Sequence, residues 1–342
     1  MSTITDASTL QTPGRSPRRG RRKLAIGRLA AAVSASALAA GALAGTAVAA
    51  TSPPNVSGNY AFQKLGDNKD VTFNQLLGIN NEGVIAGYFG SGMTKSHPNK
   101  GYVLNKPYGQ NDFANENVPG SAQTQVTGIN NDGVTVGFSV DGAGANSGFY
   151  HANGTFHTVD FPAANNASPK FDQVLGVNDA GIAVGFYNDA KGAPHGFTYN
   201  IAKSTYHAVT VSGDTGVTAA AINNLGDIAG IATNASGATE GFLLRSDGKV
   251  VHLNFPGAKT TQAFGVNDGD EVVGDYTMGS GSTATTDGFV WAPGFGFQTV
   301  DDPDGVGATT INGVNDRGTL VGFYTDGSGN TDGLLAKSVL GS

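Results

Sequence analysis

One segment recurs six times along this chain, and six copies of one unit can fold only by stacking or closing those copies on one another. The pattern is Gly-(Ile/Val)-Asn-(Asn/Asp)-x-Gly-x-x-x-Gly-aromatic. It reads GINNEGVIAGY from Gly78, GINNDGVTVGF from Gly128, GVNDAGIAVGF from Gly176, AINNLGDIAGI from Ala221, GVNDGDEVVGD from Gly265 and GVNDRGTLVGF from Gly313. The marker asparagines Asn80, Asn130, Asn178, Asn223, Asn267 and Asn315 are spaced by 50, 48, 45, 44 and 48 residues.

Asn-(Asn/Asp)-x-Gly is turn chemistry, because Asn and Asp tolerate left-handed backbone angles and glycine has no preferred hand. Short runs rich in Val, Ile, Phe and Tyr flank it and suit strands. Each copy continues through a Gly/Ser/Asp/Asn-rich loop to a second pair: Gly101-Tyr102, Gly148-Phe149, Gly196-Phe197, Gly241-Phe242, Gly288-Phe289 and Gly333-Leu334. A further short strand follows, of the kind Phe297-Gln298-Thr299-Val300. The unit therefore reads as four strands, and a repeated four-stranded unit of about 40–50 residues predicts an all-β, six-bladed β-propeller. The sixth copy lacks a fourth strand, while Tyr60–Leu65 stands before the first copy as a strand without a unit. The expectation is that this N-terminal strand pairs near residues 333–336 and closes the ring, removing two sheet edges. An open β-solenoid of six repeats is the alternative.

The first 50 residues have another character. Seven of the 20 Lys+Arg and one of the 27 Asp+Glu lie there; the remaining residues carry a net charge of −13. Basic residues 15–28 precede an Ala-rich apolar stretch and Ala47-Val48-Ala49, the order of an export signal. Residues 1–49 are read as that signal, with Arg21-Arg22-Lys23 loosely fitting a twin-arginine type. Residues 50–58 are read as a leader without strand signal and 59–342 as the repeat domain. The expected location is extracellular, with no stable membrane anchor after cleavage. An acidic surface repels phosphate backbones, so nucleic acid is not an expected partner. The chain has no cysteine, so neither disulfides nor thiolate-bound metals hold it.

GINNDG…VGF, His195-Gly196-Phe197 and the Phe-x-Thr-Val-Asp-Phe-Pro run at 156–162 together resemble the HAF-type extracellular repeats of bacteria, over roughly residues 59–336. Glycine stands here in place of the alanine of the family's tripeptide, and the third copy alone keeps the histidine. The resemblance implies a secreted, propeller-like bacterial repeat protein and transfers no activity or catalytic residue.

An active site is needed once, whereas a blade device is needed in every blade. The six marker asparagines are accordingly read as structural, as are the neighbouring turn residues Asn81, Asp132, Asp179, Asp268 and Asp316. So is a polar position five residues before each marker: Gln75, Gln125, Gln173, Thr218, Gln262 and Thr310. Departures from the repeat are better candidates. In copy five, Asp270 replaces glycine, Glu271 follows it, and Asp275 replaces an aromatic residue. These three and His195 are the candidate ligand-binding residues. With Asp268, the three carboxylates of copy five form an oxygen-rich set that suits Ca²⁺ as the one cofactor to consider. The loop 326–333 faintly resembles a calcium loop but lacks its closing Glu. There is no Gly-x-Ser-x-Gly, His-Glu-x-x-His or P-loop in residues 50–342, and no catalytic residue is assigned. The expected function is a secreted, non-catalytic binding or scaffold propeller. Its expected state is a monomer, and its ligand would be a glycan or cell-wall polymer. A carbohydrate-active hydrolase or lyase is the alternative.

Overall fold

The computed structural model describes residues 52–92 and 96–340. The export signal read over residues 1–49 lies outside the described residues. Six four-stranded antiparallel sheets follow one another. Blade 1 consists of Asn74–Ile79, Ile85–Phe89, Lys100–Leu104 and Phe113–Asn115. Blades 2 to 5 repeat that order over residues 123–159, 172–209, 214–253 and 260–299. Blade 6 takes Thr309–Val314, Leu320–Thr325 and Thr331–Ser338, and its fourth strand is Tyr60–Leu65 from the other end of the chain. The pairing runs from Tyr60 opposite Ser338 to Leu65 opposite Gly333. The protein is thus a six-bladed β-propeller closed by its N-terminal strand, and the open solenoid does not form. Among the described residues no helix is long and apolar enough to cross a membrane.

The first strand of each blade is innermost, and these strands meet backbone to backbone. A Cβ placed on Gly128 would lie 2.8 Å from the Leu175 carbonyl oxygen and 3.1 Å from Gly176 Cα. The same clash would recur between Gly78 and Gly128 and between Gly313 and Gly78. This is why the marker motif opens on glycine. Copy four, with Ala221, carries a side chain at this place. A register shift just before this residue recurs in all six first hairpins.

The core lies between blades. Val136 and Val159 of blade 2 pack with Val174 and Phe197 of blade 3 in one buried cluster. Leu65 and Leu335 of blade 6 pack with Leu76 and Tyr102 of blade 1 in another. The side chains after the second repeated glycine, Tyr102, Phe149, Phe197, Phe242, Phe289 and Leu334, are all buried. Each such side chain contributes about 1.5–3 kcal/mol by leaving water. That burial holds together a chain without disulfides.

Four antiparallel strands give each blade two ends. The Asn-(Asn/Asp)-x-Gly turns share one end, here called the turn face. The segments joining one blade to the next share the other, the connector face.

Candidate functional site

On the turn face the marker asparagines form a closed ring. Each Nδ2 donates to the carbonyl oxygen of the next marker: Asn80 to Asn130 at 3.0 Å, Asn130 to Asn178 at 3.1 Å and Asn178 to Asn223 at 3.0 Å. Asn223 continues to Asn267 at 3.0 Å, Asn267 to Asn315 at 3.1 Å and Asn315 to Asn80 at 3.0 Å. Each Oδ1 meanwhile accepts from its own turn, as from Val84 N at 2.9 Å and Ile182 N at 3.0 Å. One amide therefore closes a turn and ties a blade to its neighbour.

A second ring lies just outside the first. The backbone N–H of Asn81 donates to Asn131 Oδ1, that of Asn131 to Asp179, and that of Asp179 to Asn224, at 2.8, 2.8 and 2.9 Å. Asn224 N then donates to Asp268, Asp268 N to Asp316 and Asp316 N to Asn81, at 2.7, 2.8 and 3.0 Å. Every member needs a side-chain oxygen, which Asn and Asp alike supply. The repeated turn residues thus act between blades as well as within their own turns. The axial channel they line encloses cavities of only about 70 and 80 Å³. Those hold a few waters, whose liquid volume is about 30 Å³ each. A ligand site must be sought elsewhere.

The carboxylates of copy five do not face one another as a set. Asp268 belongs to the outer ring. Asp270 takes the glycine position with φ +59° and binds the Arg245 guanidinium. Glu271 Oε2 accepts from Asn267 Nδ2 at 3.1 Å, and burial raises its pKa. Asp275 is buried and accepts from Thr310 Oγ1 of blade 6 at 2.9 Å. Among the described residues no three His, Asp or Glu stand together as a metal-holding group. The polar position five before the marker bridges blades in part: Thr310 reaches Asp275, and Gln173 Nε2 donates to Asn146 Oδ1 of blade 2 at 3.2 Å. The calcium-like loop is a hairpin in which Asp326 Oδ1 accepts from Ser328 N and Asn330 N, as Asp141 and Asp189 do in their own hairpins.

On the connector face the fourth candidate, His195, does line a cleft. It lies between blades 3 and 4, holds about 200 Å³, and has Phe161, Tyr187, His195, Val211, Asp214 and Val217 in its walls. The three rings form a stack: Phe161 on Tyr187 at 4.5 Å between centroids and 11° between planes, and Tyr187 on His195 at 5.1 Å and 22°. His195 Nε2 lies 3.2 Å from Asp189 Oδ2, and its side chain is 42% exposed. Asp214 Oδ2 is buried with no hydrogen-bond partner. Burial, then the charge of Glu240, raises its pKa.

This cleft exists because blade 4 lacks two devices. In five blades a side chain six residues before the marker accepts from the backbone of the incoming connector. The acceptors are Asn74 from Asp67 N, Thr124 from Val118 N, Asp172 from Phe161 N, Thr261 from Phe255 N and Thr309 from Asp302 N. Blade 4 has Val217 there, which offers no acceptor. In blades 3 and 5 a connector phenylalanine also lies flat on a tyrosine of the second strand, Phe161 on Tyr187 and Phe255 on Tyr276. Blade 4 has Val211 and Ala232 at those places. The sequence reading missed this, although the valine within an otherwise polar column was the signal.

A second cleft, of about 490 Å³, opens on the turn face between blades 1 and 2, with Glu82, Glu116, Asp132, Thr135 and His151 in its lining. Glu116 accepts from the Thr135 hydroxyl and lies 3.2 Å from His151 Nδ1. The histidine ring stacks on Phe156 at 4.3 Å.

No family model matches the chain, and no curated protein matches it. Among solved structures, TolB from Acinetobacter baumannii is similar at 12% identity, covering 74% of this chain and 63% of its own, with a TM-score of 0.47. The chain thus spans less than two thirds of that protein. The neuraminidase-like protein of subtype N11 from A/flat-faced bat/Peru/033/2010 (H18N11) is similar at 11% identity, over 85% of this chain and 95% of its own, with a TM-score of 0.48. The six-bladed fungal lectin of Aleuria aurantia, described with a fucose recognition mode, is similar at 11% identity, over 78% and 93%, with a TM-score of 0.46.

Proposed function

We propose that this chain is an exported, non-catalytic propeller of the HAF-repeat type that binds a saccharide of an extracellular polymer on its connector face. The observation that carries the reading is the cleft between blades 3 and 4, where the repeat departs from its own pattern and leaves aromatic faces beside polar groups. Ligand sites combine such apolar walls with a few placed polar groups. A space of about 200 Å³ suits one sugar ring of a chain rather than an enclosed oligomer.

A screen of the secreted protein against glycans and cell-wall polymers, scoring retention and product release, tests the reading. Tyr187→Ala and His195→Ala should each weaken retention at least tenfold. Val211→Phe places in blade 4 the ring that Phe161 and Phe255 supply in blades 3 and 5. It should block the cleft; Val211 is buried, so a thermal melt checks that the variant folds. Retention unchanged in all three variants would remove the site.

The second reading, a carbohydrate-active hydrolase or lyase, draws on the cleft between blades 1 and 2. There His151 is held by Glu116, with Glu82 and Asp132 in the same lining. A carboxylate that orients a histidine is an arrangement general bases use. Product release lost in Glu116→Gln would favour it.

A further inference from the structure

The walls of the cleft between blades 3 and 4 are unbalanced in charge. We infer that the cleft selects uncharged sugar units and rejects uronates and other acidic sugars, with Asp214 as the residue that sets this preference. The inference rests on the saccharide-binding reading of the same cleft.

No lining residue carries a permanent positive charge. His195 already faces the Asp189 carboxylate, so its ring is engaged by a protein acid rather than left for a ligand acid. The charged groups around Asp214 are Glu240 and His252, and these two are paired with each other. Glu240 also accepts from Asn254 Nδ2 at 2.9 Å. What remains at the wall is a carboxylate with one oxygen lacking any donor. A ligand hydroxyl or amide N–H that reaches the Asp214 carboxylate can donate to it. A ligand carboxylate supplies no donor and adds a second negative charge to a site that already holds one. Acid recognition elsewhere relies on an arginine or lysine, which this lining does not contain.

The two threonines of the lining, Thr210 and Thr215, are neutral and do not restore the charge balance. Thr215 Oγ1 donates to the Thr233 carbonyl oxygen at 3.2 Å, so its proton is committed within the blade. The cleft therefore offers aromatic faces and acceptors, which match a neutral pyranose carrying hydroxyl or acetamido donors.

The test is calorimetric titration of the secreted protein and its Asp214→Asn variant. The probes are soluble β-1,4-linked N-acetylglucosamine and glucose oligomers as neutral ligands and oligogalacturonate as the acidic one. A neutral oligomer should bind wild type at least tenfold more tightly than the uronate. Asn keeps an acceptor and adds an N–H donor, so Asp214→Asn should narrow the gap to threefold or less. Raising the salt concentration should narrow the gap in wild type, because repulsion at a half-open site is screened. Equal or tighter uronate binding to wild type, or a gap unchanged in Asp214→Asn, overturns the charge preference while leaving saccharide binding standing. Binding of no saccharide at all overturns the underlying reading, and the preference with it.

Discussion

The two faces of the ring treat the repeat in opposite ways. On the turn face all six copies make the same bonds, and both polar rings close without a gap. On the connector face the residue before the second Gly-aromatic pair differs almost from copy to copy: Lys100, Ser147, His195, Glu240, Asp287 and Asp332. Their partners differ as well. Asp332 binds Lys64 at 2.6 Å, His195 faces Asp189, and Glu240 faces His252. The lesson is that a repeat stays uniform where copies bond to one another, since each must fit the next. It is free to vary where each copy meets solvent or ligand.

The largest expected effect would show whether the connector face is only a surface for variation. Deleting residues 52–66 removes the closing strand and should lower stability by several kcal/mol, from lost hydrogen bonds at about 0.5–1.5 kcal/mol each plus lost apolar burial. Deleting residues 52–58 alone should cost about 1–3 kcal/mol. The sequence reading took that leader as inert, but it runs along blade 5. Val56 N donates to Thr299 O and Thr299 N to Pro54 O, both at 2.9 Å, while Asp301 N donates to Ser57 Oγ at 2.8 Å. Thermal melts of the two truncations measure both effects; equal midpoints would mean that the strand adds nothing beyond the leader.

On the turn face, Asn178→Ala should cost about 1–3 kcal/mol, because it removes the bond to the Asn223 carbonyl and takes the side-chain acceptor from the Ile182 N–H at once. His195→Ala, on the connector face, should change stability by less than about 0.5 kcal/mol. Similar losses in denaturant unfolding would dissolve the contrast between the faces.

Asp172 sharpens the contrast through pH. It is fully buried, its Oδ1 has no partner, and burial pushes its pKa up to about 8. Asp301 is pushed up to about 6, first by burial and then by Asp287. For such groups the folded state holds the proton while the unfolded chain releases it near the ordinary value of 3.8. Stability is therefore complete below about pH 4 and falls as pH rises to about 8. Asp172→Asn should stabilise by about 1–3 kcal/mol at pH 8 and by little at pH 4. A gain independent of pH would show that Asp172 ionises normally.

A small net effect is also expected at Asp270→Gly. Glycine relieves the positive φ while the ion pair with Arg245 is lost, and these offset to within about 1 kcal/mol. Titrating both proteins with Ca²⁺ also tests the cation role of copy five, since equal heats would remove Asp270 from it.

Much of the architecture is legible in the residues themselves. Turn chemistry at a spacing of 44–50 residues, with flanking β-branched and aromatic runs, specifies six four-stranded units. The unmatched strand Tyr60–Leu65 specifies closure, because a strand without a sheet leaves unpaired backbone groups. Local preference and hydrophobic period act over a few residues, so sequence carries them directly. What it does not carry is which side chains meet across about 45 residues. The double role of Asn178, the scattering of Asp268, Asp270 and Asp275 to separate partners, and the cleft opened by Val217 depend on how neighbouring blades lie against each other. Those contacts are set by burial at the interfaces between blades, a property of the closed ring rather than of any one copy.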